Sequence, residues 1–130
     1  PHWLPLDHQV QLGLDLANVG ADLIQTEGGT SSSPVHPGTM GLIEKASPAL
    51  AAAHTIASTF SKDSLDVPLI CSSGLSSVTA PMAIACGASG IGVGSAINKL
   101  TSEIEMIAAV RALRNALNTY RPQFALLNHK

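Results

Sequence analysis

Three short runs carry residue types that grip a small anion or move a proton: Gln25-Thr26-Glu27-Gly28-Gly29, Ser72-Ser73-Gly74-Leu75-Ser76 and Gly94-Ser95, each following an apolar stretch. Glycine lets the backbone approach an anion closely, and N–H groups at a helix start carry partial positive charge that suits a phosphate. Ser72, Ser73 and Gly74, with Gly94 and Ser95 one helix and one strand later, are therefore the candidate phosphate-binding residues. The plainer reading of the same glycines is a pair of tight strand-to-helix turns. Glu27 is the acid adjacent to these runs and a candidate general acid or base if withdrawn from water. Its alternatives are a solvated loop carboxylate and a cap on the glycine turn beside it. Gln25 and Ser72 have hydrogen-bonding groups for a ligand or for neighbouring backbone. His2 is the second candidate for proton transfer, on the condition that Pro1-His2 follows the end of a strand. No lysine closes a strand, which argues against Schiff-base chemistry in these runs.

Metal chemistry finds little support. The five histidines are dispersed, and no two stand three or four residues apart, the spacing a helical metal site favours. His36 is expected on the surface of a polar loop and His54 half-buried on an alanine-rich helix. Cys71 and Cys86 lie in apolar runs and are expected as small buried thiols, not as a disulfide framework. The net charge is -2 and the seven Lys and Arg residues are scattered, so nothing marks a nucleic-acid or anionic-membrane surface. No basic leader precedes an apolar core at Pro1–Val10. Val67–Asn98 contains no charged residue, but Pro68, Pro81, five glycines and the serine cluster break it, and no membrane span is expected.

The elements that must position these residues alternate. Val10, Leu14 and Ala17, with Leu12 and Leu16, have helical spacing from Leu6-Asp7 to Val19, and Gly20 is placed to end that helix. Residues 21–26 form a strand-like run, and Gly28–Thr39 a turn-rich loop. Met40–Phe60 is helical in pattern. Ser47-Pro48 resembles an N-cap followed by a first-turn proline, so a short helix, a break and a second helix from Pro48 are expected. Strands are expected at Val67–Cys71 and Gly90–Val93, a short helix at Thr79–Cys86 closed by Gly87, and a last helix opened by a Ser102/Glu105 capping box and running to about Leu117. Alternating helices and short apolar strands predict an α/β fold with a parallel sheet. Ligands in such folds lie at the carboxyl ends of the strands, here the loops after Thr26, Cys71 and Val93. Three strands cannot close a barrel of eight, so the chain is either a small open domain or part of something larger.

The runs at Gln25–Ser32, Pro37–Ala46, Ser72–Ser76, Thr79–Ala85 and Gly90–Ile97 together resemble the hypothetical chloroplast reading frame twenty-three (Ycf twenty-three) family of plastids and cyanobacteria, over about Pro1–Leu117. That resemblance implies the C-terminal half of a (β/α)8 TIM-type barrel of the phosphate-binding type, with strands six to eight present and Pro1-His2 just after strand five. Residues 1–118 would belong to the barrel and 119–130 to a tail. Val67–Ala96 is more loosely similar to the phosphate-binding end of flavin-dependent and phosphosugar barrels, so a phosphorylated metabolite or a flavin nucleotide such as FMN is the implied ligand. No activity is assigned to the family, and no catalytic residue carries over. It implies plastid stroma or cyanobacterial cytoplasm; the alanine-rich, lysine-poor composition fits a nuclear or cyanobacterial gene better than an AT-rich plastid one. The main departures from the family pattern are Ser61–Asp66 and the tail after Tyr120. Two functions follow: a barrel binding a phosphorylated small molecule, or a non-catalytic accessory subunit with a protein partner in a plastid (photosynthetic) complex.

Overall fold

The structure, a computed structural model, describes residues 3–27 and 33–120. His2, the residues 28–32 that follow Glu27 and the tail beyond Tyr120 lie outside the described residues. Helix α1 (Leu6–Asn18) leads to β1 (Ile24–Gln25), α2 (Gly38–Lys62), β2 (Leu69–Ser72), α3 (Ala80–Ala85), β3 (Gly90–Gly92), α4 (Ser95–Asn98) and α5 (Glu103–Thr119). The three strands are parallel and in chain order, β1-β2-β3, with Gln25 opposite Ile70, and Ile70 and Ser72 opposite Gly90 and Gly92. The predicted alternation and parallel sheet are both present.

Strand alternation sorts the side chains to two faces. Ile24, Leu69 and Cys71 point to the helical layer and are buried with Ala46, Ala49, Ala53, Ile56 and Phe60 of α2 and Ala83 of α3, while Val10, Leu14 and Ala17 of α1 pack on the same cluster. The other face carries Gln25, which is exposed, and Ile70, which is half-buried. One face of the sheet is thus covered by helices and the other is open. Small residues make the covered face possible: four alanines of α2 are at most 2 % exposed, which brings the helix close to the strands.

Helix ends follow the local chemistry. Gly20, at φ +101°, and Gly87, at φ +102°, close α1 and α3 with the same pair of bonds: the amides of Gly20 and Ala21 donate to the carbonyls of Ala17 and Leu16, and those of Gly87 and Ala88 to Ile84 and Ala83. Ser102 caps α5, its hydroxyl accepting the Glu105 amide at 3.2 Å.

The sequence expectation of a helix break at Ser47-Pro48 is corrected. Helix α2 runs unbroken through Pro48 for 25 residues. Ser47 does not cap a new helix; its hydroxyl donates to the Ile43 carbonyl at 2.8 Å within the helix. Pro48 is on the exposed side, while Ala46, Ala49, Ala52 and Ala53 are held against the rest of the fold, so packing and alanine propensity carry the helix across the missing amide. The four-residue α4 is a further element that the sequence pattern did not signal. His54, expected half-buried, is exposed. Among the described residues no helix is long and apolar enough to cross a membrane, and Val67–Asn98 folds into β2, α3, β3 and α4.

Candidate functional site

The carboxyl ends of all three strands open into one cavity of about 530 Å³. Ser72, Ser73, Gly74, Gly94 and Ser95, the five residues singled out from the sequence, all line it, and Gln25 does so from the end of β1. Ser73 and Gly74 take φ values of +84° and +71° in succession. For serine that region is sparsely populated and costs on the order of 1 kcal/mol or more, a type of strain that concentrates at ligand-binding loops.

Ser72 sits between the two loops. Its amide donates to the Thr26 hydroxyl at 3.2 Å. Its own hydroxyl is buried and has no hydrogen-bond partner among the described residues, an arrangement that costs roughly 1–3 kcal/mol until something satisfies it. Gly92 makes room for it: a Cβ there would lie 2.5 Å from the Ser72 hydroxyl. Gly94 is different, because a Cβ there meets nothing within 4 Å. The site therefore has a packed floor at Ser72–Gly92 and an open lip at Gly94.

The helices that follow these loops are short: α3 starts only at Ala80, after a turn in which the Ser76 amide donates to the Thr79 hydroxyl at 2.9 Å, and α4 has four residues. Loop backbone and side chains therefore make up much of the cavity wall. Two lysines that sequence reasoning missed, Lys45 of α2 and Lys99 at the end of α4, line the cavity, and none of its lining residues is acidic. Lys99 left one signal, as the first charged residue after the uncharged run that ends at Asn98. Lys45 left none.

Glu27 lines a separate cavity of about 220 Å³ beside α1, with Gln9, Gly13 and Leu16, and is not among the residues lining the larger one; Gln25 faces both. Glu44, at the start of α2, anchors the preceding turn: its carboxylate accepts the amides of Val35 at 2.7 Å and His36 at 3.2 Å and pairs with the His36 ring. The bond to the His36 side chain, then those to the two amides, hold the Glu44 carboxyl below its ordinary range. His36 is thereby committed to a surface contact away from the cavity. Among the described residues no cluster of three or more His, Cys, Asp or Glu side chains is placed to hold a metal ion. Cys71 is fully buried, its thiol donating to the Ala49 carbonyl at 3.5 Å, and burial pushes it up to about 11.

Comparison with known proteins gives a consistent family signal. The family described as "Protein of unknown function (DUF561)" matches residues 1–123. The chain is 34% identical over 129 residues to "Uncharacterized protein ycf23" of Porphyra purpurea, covering 99% of this chain and 47% of that protein. Proteins of the same name match from Pyropia yezoensis, at 33% identity over 99% of this chain and 45% of the relative, and from Cyanophora paradoxa, at 36% over 91% and 46%. The chain thus spans about half the length of the curated relatives it matches. No solved structure matches it.

Proposed function

The chain belongs to the DUF561 family, and we propose that it forms the C-terminal half of a (β/α)8 barrel that binds a phosphorylated small molecule at the loops after its last two strands. Winding supports the barrel. Successive parallel strands that neighbour one another in chain order, joined by right-handed crossovers, put every helix on one side of the sheet, whereas a doubly wound sheet reverses its order and is covered on both. Here the order is β1-β2-β3 and one face is covered. These strands would be the sixth, seventh and eighth; residues 1–118 would belong to the barrel and 119–130 to a tail. The loops after the last two strands are where phosphate-binding barrels hold their ligand.

The observation that carries the binding reading is the convergence of Ser72–Gly74, Gly94, Ser95 and two lysines on one acid-free cavity in a chain whose net charge is -2. Glu27 and His2 are the candidates for proton transfer. The algal relatives support a location in a plastid; the compartment we propose is the stroma, or the cytoplasm if the source is a cyanobacterium. Native mass spectrometry of the full-length protein purified from its own source, with an absorbance scan, tests the reading. A phosphorylated metabolite or flavin should be bound, and Gly94→Val should release it while leaving the fold intact, since a side chain there enters open space at φ -113°. An empty mass with co-purifying proteins would instead favour an accessory subunit.

A further inference from the structure

Lys45 and Lys99 come to the cavity from its two flanks. Lys45 belongs to α2, which follows the edge strand β1, and Lys99 closes α4, which follows the other edge strand β3; Ser72 of the central strand lies between them. Neither lysine side chain has a hydrogen bond or ion pair among the described residues. Two cations held at one cavity without a counter-ion repel each other, and a ligand with an anionic group at each end answers both from opposite flanks.

The dimensions point the same way. A cavity of about 530 Å³ is far larger than a free phosphate needs and falls in the range of small-molecule sites. Adjacent strands lie about 4.8 Å apart, so β1 and β3 are separated by about 10 Å. Lys45 and Lys99, on the helices that follow those two strands, reach the cavity on flexible stems, and a ligand that meets both has to span it. Among the described lining residues Leu75, Val93 and Ala96 have apolar side chains and the rest are polar, charged or glycine, a wall suited to a polar ligand.

We propose, resting on the phosphate-binding reading above, that the ligand is a three- or four-carbon compound with a phosphate at one end and a second anionic group, carboxylate or phosphate, at the other. The phosphate lies against Gly94, Ser95 and Lys99. Lys45 holds the second anion, with Gln25 beside it. The unpartnered Ser72 hydroxyl, 8 % exposed as a residue, lies under the middle of the ligand, where a small rotation gives it an acceptor.

Calorimetric titration of the full-length protein with glycerol 3-phosphate and 3-phosphoglycerate tests this, because the two differ in a carboxylate in place of a hydroxymethyl group. Wild-type protein should bind 3-phosphoglycerate at least tenfold more tightly. Lys45→Gln, on an exposed helix position, should abolish that preference and leave glycerol 3-phosphate binding unchanged; Lys99→Gln should weaken both. Equal affinity for the two in the wild type, an equal loss of both in Lys45→Gln, or tighter binding of FMN than of either would overturn the two-anion proposal while leaving the phosphate site standing. If neither probe nor inorganic phosphate binds, the phosphate site itself falls, and this inference with it.

Discussion

Gly92 and Gly94 stand two residues apart on the same strand end and serve opposite purposes. Gly92 is needed because any Cβ would strike the Ser72 hydroxyl, whereas Gly94 keeps the cavity lip open. In the sequence Gly94 was read as a turn residue after the strand and Gly92 as a residue within it; that Gly92 is needed for packing depends on the β2–β3 register, and no local pattern encodes that. Lys45 illustrates the same limit more sharply. Its helix was recognisable, but whether a helical lysine faces a cavity is fixed by how the crossover packs, which only the alanine contacts of α2 determine. Of the two cysteines expected as buried thiols, Cys86 is only half-buried and Cys71 is fully buried, and the burial of Cys71 has a pH consequence. Burial pushes the folded thiol up to about 11 from its ordinary value near 9, with the Thr26 hydroxyl pulling the other way. Because the unfolded chain releases this proton at lower pH, stability from this group is complete below about pH 9 and declines as pH rises towards 11, by roughly 2–3 kcal/mol in all. Denaturant midpoints measured between pH 8 and 10.5 should fall less steeply in Cys71→Ala than in wild type, although the variant starts lower because of the cavity it creates. Parallel pH profiles would mean that Cys71 is not the group responsible.

At the level of elements, the closing devices of α1 and α3 were legible because glycine marks them, at Gly20 and Gly87. Helix α2 closes by the same geometry with a serine: Ser64, at φ +54°, and Leu65 donate their amides to Ser61 and Phe60. A serine in that position gives no sequence signal, and Ser61–Asp66 stood out only as a departure from the family pattern. The opposite error arose at Pro48, where a strong local signal was overruled by packing. Alanines at 46, 49, 52 and 53 bury one side of α2, and the proline ring projects from the other. The proline still removes the amide that would bond to the Glu44 carbonyl, and a proline in a helix interior typically costs about 3 kcal/mol. Part of that is offset by the stiffer unfolded chain. Pro48→Ala is therefore expected to stabilise the full-length protein by about 1–2 kcal/mol, read from the shift in urea midpoint at unchanged slope. A variant that is less stable than wild type would show that the ring makes a packing contribution at the helix surface.

For the whole molecule, the sheet decides what the chain is. Among the described residues its order and its single covered face leave β1 and β3 as unpaired edges, and they leave Gln25 and Ile70 on a face without a helical layer. A groove of about 430 Å³ between β3 and α5, lined by Ile91, Val93, Val110, Leu113 and Leu117, adds apolar surface that α5 does not cover. Trp3, Val19, Leu23 and Ile104 are each between 47% and 82% exposed. A self-sufficient three-layer domain would bury these residues, whereas a half-barrel leaves them for the strands and helices of its other half. Unpaired parallel edges and apolar patches recruit further chains. Residues 1–130 expressed alone should therefore self-associate at micromolar concentration in sedimentation velocity. The full-length protein should not, and its unfolding should be cooperative across both halves. If the isolated segment instead sediments as a monomer and unfolds in one sharp transition, its open face is stable as it stands. The chain would then be a compact three-stranded domain, and the cavity at its strand ends would have to bind its ligand without help from a second half.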